Sequence, residues 1–308
     1  MDVPRNPERP LRSVAPLPPD PPGPEHEDEP RPPGQRSRSR QADDADAGFF
    51  GPGSVSWRLH ADPLTGLAGL VAVLLQDLHP VSAAATAEEG AGTWLRVGRS
   101  AKALGTTTYG SRMAALTCAA RLRAEAGMVA GFDPETDRIF RGDDPDVMAW
   151  RHCCAVLGRV LVARAADVEL SDADTDTYVG EQLTAALLLG LEPDEVPATA
   201  AELTEHVDAA LPLLRVPPGG RERLEALLAG DLPASGAKPP PWAPVAGLAV
   251  AALPSWAASI YGVEEAAGVA GLRGAAFAVA LRTLRSALAE ARASGTPVPH
   301  LRLVGTDG

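Results

Sequence analysis

The chain has 308 residues, with 28 Lys and Arg against 40 Asp and Glu, for a formal charge of −12. That balance disfavours nonspecific binding to a nucleic-acid backbone, which needs a basic surface. The length allows one large domain or two small ones, and the scarcity of β-branched alternating runs beside abundant Ala and Leu points to an all-α class.

Residues 1–47 carry twelve prolines, mixed charges and almost no large apolar side chains. Such a segment cannot bury enough apolar area to offset its ordering entropy, so a disordered tail is expected. Residues 48–294 are expected to form a single multi-helix domain, with a frayed end at 295–308. Pro residues stand where a secretory signal would place its apolar core. No run of about 18 apolar residues escapes Gly, Pro or charge, so no transmembrane segment is expected. Three cysteines, two of them adjacent, give neither a disulfide framework nor a CxxC metal spacing. A cytoplasmic location is the expectation, with weak membrane association of the apolar C-terminal helices left open.

The first helix is expected from Asp62 and Pro63, a cap and a first-turn proline. Leu67, Leu70, Val71, Leu74, Leu75 and Leu78 recur at helical spacing, and Pro80 should stop the helix at His79. A second helix is expected over Thr93–Leu104, and a third from the Ser111 cap to Val129. GFDPETDRIFRGDDP reads as a loop or hairpin. Asp144 should cap a fourth helix from Pro145 to Ala166. Ser171 and Asp174 should open a fifth, reaching Leu191, and Thr199 with Glu202 a sixth, to Leu211. A short helix over Pro217–Leu228 and a Pro/Gly-rich loop over 230–244 follow. The last two helices are expected over Val245–Tyr261 and Glu264–Arg292, with breaks near Pro254 and Gly271.

Four segments are similar, in order, to the MpaB and latex-clearing-protein oxygenase family. They are the opening GPGSVSWRLHADP with its following helix; WLRVGRSAKALGTTTYGS (94–111); RGDDPDVMAWRH (141–152); and LSDADTDTYVGEQ (170–182) followed by PATAAEL. The resemblance implies a largely helical fold, heme b, dioxygen and a small apolar substrate, with oxidative cleavage of a carbon–carbon double bond as one outcome. It also implies that Arg96, Arg99 and Ser100 border the heme pocket, with Ser100 standing where the family usually has Thr. Tyr109 is a further catalytic candidate, as a donor to bound oxygen; packing beside Gly110 is the alternative. In the third helix the family often shows Val-Arg-x-x-His-x-x-Val-x-Gly. This chain reads LRAEAGMVAG, with Ala126 at the histidine position, and alanine cannot bind iron.

Heme ligation needs an imidazole and donors for the propionates. Of six histidines, His26 and His300 lie near the ends, His206 sits among acidic residues, and His60 is read as structuring the turn before Asp62. His152 is the first choice of axial ligand, because Met148, Ala149, Ala155 and Val156 give it a small apolar face, and Arg159, two turns on, could reach a propionate. His79 is the second choice. Arg96, Arg99 and Lys102 share one helix face roughly, and arginine suits bidentate carboxylate recognition; pairing with Glu88 and Glu89 is the alternative. The acidic clusters at Asp143, Asp144 and Asp146 and at Asp172, Asp174 and Asp176 are read as helix-start caps rather than magnesium sites. The reading from another class keeps the fold without the cofactor, as an apolar-ligand-binding or protein-interaction module.

Overall fold

A computed structural model describes residues 48–89, 92–133, 137–229, 242–263 and 275–295. The expected tail (1–47), most of the loop at 230–244, the break near Gly271 and nearly all of the frayed end lie outside the described residues. Among those described, twelve α-helices and one small hairpin are formed. The helices are α1 (Val55–His60), α2 (Thr65–Gln76), α3 (Pro80–Glu89), α4 (Thr93–Tyr109), α5 (Arg112–Gly127) and α6 (Pro145–Ala165). They continue as α7 (Asp172–Leu188), α8 (Ala200–Ala210), α9 (Gly220–Ala229), α10 (Trp242–Ala251), α11 (Ser255–Tyr261) and α12 (Ala275–Ala293). Strands β1 (Ala130–Asp133) and β2 (Arg138–Arg141) pair antiparallel, Gly131 opposite Phe140. The class is all-α, as composition indicated.

The centre of the fold is α2. Its residues from Leu67 to Leu75 are buried without interruption, so it is apolar all round rather than amphipathic, as a core helix must be. Each fully buried Leu or Val there contributes roughly 1.5–3 kcal/mol. The longest helix, α6, lies against α2, and Gly158 makes that approach possible. A Cβ on Gly158 would stand 2.8 Å from the Ala68 carbonyl oxygen and 3.0 Å from the Ala72 nitrogen. Helices α4 and α10 also pack on α2, and Tyr261 of α11 donates its hydroxyl to the Leu74 carbonyl across 2.7 Å.

Several boundaries differ from expectation for identifiable reasons. The first helix is split. Ser54 caps α1. Asp62 Oδ1 accepts from the Leu64 N–H at 2.9 Å, which closes a turn between α1 and α2. Pro80 does not merely stop a helix. It is the first residue of α3, where its missing N–H costs nothing. Helix α4 runs past Leu104 to Tyr109, and within that added stretch Thr106 and Thr107 bond their hydroxyls back to the carbonyls of Lys102 and Ala103. Asp144 precedes α6 but accepts from the Arg141 N–H instead of capping. Ser171 and Asp174 form the full reciprocal capping box. The break at Pro254 is present between α10 and α11. No single described helix is long and apolar enough to cross a membrane.

Candidate functional site

One buried polar group links four elements. Arg159, on α6, is 7% exposed, and its positive charge adds to burial in lowering the pKa of His60 on α1 and His152 on α6, while it only partly offsets the burial that raises Tyr109 on α4 and Tyr178 on α7. Its Nη1 donates to the Ala155 carbonyl, while its Nε has no hydrogen-bond partner. Among the described residues no carboxylate forms an ion pair with it.

His60 sits between two hydroxyls. Its Nδ1 is 2.8 Å from Thr108 Oγ1 and its Nε2 is 3.0 Å from the Tyr178 hydroxyl. Burial, followed by the Arg159 charge, holds the imidazole well below its usual range, so it is neutral and donates through one nitrogen only. Burial pushes Tyr178, which has no exposed surface, up to about 12. Both ring nitrogens of His60 are therefore committed. The sequence reading treated His60 as a turn residue and did not single out Thr108 or Tyr178. The three come from segments more than 40 residues apart, and no local spacing announces their meeting.

His152 differs from His60. It too is buried, and burial first, then Arg159 and His206, bring its pKa to about 4. Among the described residues no hydrogen bond reaches its ring. Of its helical neighbours, Ala149 and Val156 are buried, whereas Met148 and Ala155 are half-buried, so one side of its face is not sealed. His79 is held otherwise. Its ring lies 5.8 Å from that of Trp150, and its Nδ1 is 3.5 Å from the Ser82 N–H. Trp150 and His152 are two residues apart and so point about 200° apart around α6. The two histidines thus occupy opposite sides of that helix and cannot serve one site together.

The arginines of α4 divide. Arg96 is buried and spends Nη1 on both carboxylate oxygens of Asp77, at 2.8 and 2.9 Å. Arg99 and Ser100 are exposed, and among the described residues Arg99 makes no ion pair. Glu88 and Glu89 lie outside the described side chains, so their pairing is not described either. Gln76 ties the level together: its amide nitrogen donates to the Arg151 carbonyl at 3.0 Å and its oxygen accepts from Arg96 Nη2 at 3.4 Å. The start of α4 and the peptide next to His152 therefore meet at one height on α2. Tyr109 lies 13 residues beyond Arg96, roughly 20 Å along the helix. Its hydroxyl donates to the Trp57 carbonyl at 3.1 Å, and its ring stacks edge-on against Trp57.

Ala126 occupies the last turn of α5, and its carbonyl accepts from the Val129 N–H at 3.0 Å. A Cβ on Gly142 would come within 2.7 Å of that oxygen, so the position is a tight junction between helix and hairpin. The acidic helix starts are engaged in ion pairs. Asp143 pairs with Arg141, Asp172 with Arg164 and Asp174 with Arg58. No group of three or more metal-ligating side chains exists among the described residues. Burial raises the thiol pKa of Cys153 and Cys154, which makes them poor nucleophiles.

Of what a heme would need, His152 offers a neutral imidazole to which no described hydrogen bond runs, with the charge of Arg159 close enough to act on it. The space is less formed. Two crevices are present, one under α1 and α2 beside Arg159 and one lined by Asp77, Arg223 and Tyr261. Neither is lined by a histidine, and His152 is itself buried, so a porphyrin would reach it only if the packing around α6 opened.

The profile of the family described as ER-bound oxygenase mpaB/B'/Rubber oxygenase, catalytic domain, matches residues 57–286. That span begins at Trp57 and takes in every site residue named above. The chain belongs to this family of oxygenase-type catalytic domains. Searches of curated proteins and of solved structures gave no match.

Proposed function

We propose that the protein is a heme-dependent oxygenase that uses dioxygen on a small apolar substrate, with His152 as the axial ligand of heme b. The observation that carries this reading is the buried, neutral imidazole of His152, which no described hydrogen bond occupies. When bound, heme supplies the activation of dioxygen, and cleavage of a carbon–carbon double bond to carbonyl products is the proposed outcome. The protein's own groups set the conditions. Arg159 opposes protonation of His152 and keeps its nitrogen lone pair available. Arg99, exposed and without an ion pair, is the propionate partner, with Ser100 beside it. Arg96 braces that end of α4 through Asp77. Tyr109 is held by Trp57 through its hydroxyl.

A second reading is favoured by two observations: Ala126 at the family's usual histidine position and a His152 ring that is buried and lines neither described crevice. On that reading the fold is kept without the cofactor and binds an apolar ligand or another protein. Titration of the purified protein with hemin, followed by absorption, separates the two. A saturable Soret band that is lost in His152→Ala supports heme ligation there. No saturable band supports the second reading. A band lost only in His79→Ala moves the ligand to the other side of α6.

A further inference from the structure

Exposed apolar side chains are unevenly spread over the molecule. Ten large hydrophobic residues stand in solvent among those described, and seven of them fall between Leu95 and Ile139. Scattered singly they would need no explanation, but a concentration of them marks a surface that meets something. Charge is just as uneven. Residues 90–124 carry six of the Lys and Arg and none of the Asp and Glu, in a chain whose formal charge is −12. Both biases centre on α4 and α5, which are consecutive in sequence and pack together.

Helix α5 is apolar on two sides. Ala115 and Ala119 turn inward to meet Phe49 and Leu188. On the opposite side Met113, Leu116, Ala120 and Ala124 are exposed, Met113 to 71%. A helix apolar all round belongs in a core, yet among the described residues nothing covers this outer face. Met128, the cap residue, extends it and is 77% exposed. At 100° per residue, Arg112 and Arg123 run along one edge of the face and Arg121 stands at the other. The cationic edge continues onto α4. Burial raises the pKa of the Cys118 thiol on α5, and Arg121 and, from α4, Lys102 act against that rise. On α4 itself Leu95, Arg99 and Lys102 are exposed at helical spacing, in one stripe.

The possible covers answer this mixture differently. A second copy would set Arg112, Arg121 and Arg123 against their own counterparts, with Glu125 the sole carboxylate on α5. An acidic polymer would pair the cations and leave the methionines in water. A bilayer with anionic headgroups satisfies both: apolar side chains enter the acyl boundary while the cations around them stay at the phosphates. We propose that the outer face of α4 and α5 docks on an anionic phospholipid bilayer, with Met113, Leu116 and Met128 entering the interface and Lys102, Arg112 and Arg121 at the headgroups. The surface is separate from the His152 site, and the proposal stands whether or not heme binds.

The test uses the full chain without heme. Partition is measured by pelleting with vesicles of phosphatidylcholine alone and of phosphatidylcholine mixed with phosphatidylserine. Binding should require phosphatidylserine and fall as salt is raised. Lys102→Gln with Arg121→Gln should weaken it about thirtyfold, about fivefold for each cation. Methionine oxidation reports which face is covered. Peroxide should oxidise Met113 and Met128 readily in solution and much more slowly with the anionic vesicles, while the half-buried Met148 on α6 is unaffected by them. Absence of binding, or equal binding to both vesicles, overturns the proposal. So does binding retained in the double variant, or oxidation of Met113 and Met128 that vesicles do not slow, since either places the contact elsewhere. Protection of the two methionines that rises with protein concentration alone assigns the face to a second copy, and protection by soluble polyglutamate without vesicle binding assigns it to an acidic protein; each overturns the membrane assignment.

Discussion

Arg96 discriminates between a structural and a cofactor role. In the structure its side chain is 9% exposed and that of Asp77 14% exposed, with both carboxylate oxygens within 2.9 Å of Nη1. Burial raises the Asp77 pKa even with Arg96 alongside, so desolvation outweighs the attraction and the pair is held by the fold rather than holding it. Removing one partner then strands the other. Breaking a buried pair costs about 3–5 kcal/mol, and the residual exposure places Arg96→Met at the lower end, about 3 kcal/mol. For a domain of this size that lowers the melting temperature by about 6–12 °C. The double replacement Arg96→Met with Asp77→Leu should recover most of the loss, because neither charge is left buried. Circular-dichroism melts and urea titrations of the wild type, both single variants and the double variant complete the cycle. An Arg96→Met variant as stable as wild type that had lost hemin affinity would refute this reasoning and return Arg96 to the propionates. Additive losses in the double variant would refute it as well.

Three further outcomes are expected. Gly158→Ala should destabilise by about 1–3 kcal/mol despite the better helix propensity of alanine, because the new Cβ meets the α2 backbone; a stabilised variant in a melt would show that the two helices separate readily. Stability should decline as pH falls from 6.5 toward 4, since His152 binds its proton in the unfolded chain well before the folded one, whose pKa is about 4. Integrated over that window the contribution of His152 is about 3 kcal/mol, and urea titrations at several pH values should show a shallower slope in His152→Gln. Tyr178→Phe should cost about 1–3 kcal/mol by leaving His60 Nε2 unpaired, and a variant with an unchanged melting temperature would show that the His60 network carries no stability.

What was legible in the sequence follows from locality. Capping at Ser171, the proline start of α6 and the punctuation at Pro254 are decided within a few residues, and they were read correctly. The split between α1 and α2 was not, because Asp62 looks the same whether it caps a helix or closes the turn ahead of one. The dual character of Pro80 has the same origin: a residue that ends one helix suits the first position of the next. At the site, His152 and Arg159 were visible as a seven-residue pair on one helix. The partners of His60 were invisible, because Thr108 and Tyr178 reach it only through tertiary packing. The Asp77–Arg96 pair was missed for that reason too, and with it the fact that one of the expected propionate donors is already engaged.

The central claim is that the His152 imidazole is the axial ligand, and chemical rescue tests it most directly. His152→Gly is titrated with hemin in the absence and presence of free imidazole, and the Soret position and apparent affinity are compared with those of the wild type. The account predicts weak or no heme uptake by the variant alone and a wild-type-like band once imidazole is added. A His152→Gly protein that binds hemin with the wild-type spectrum and affinity, and ignores imidazole, would contradict it.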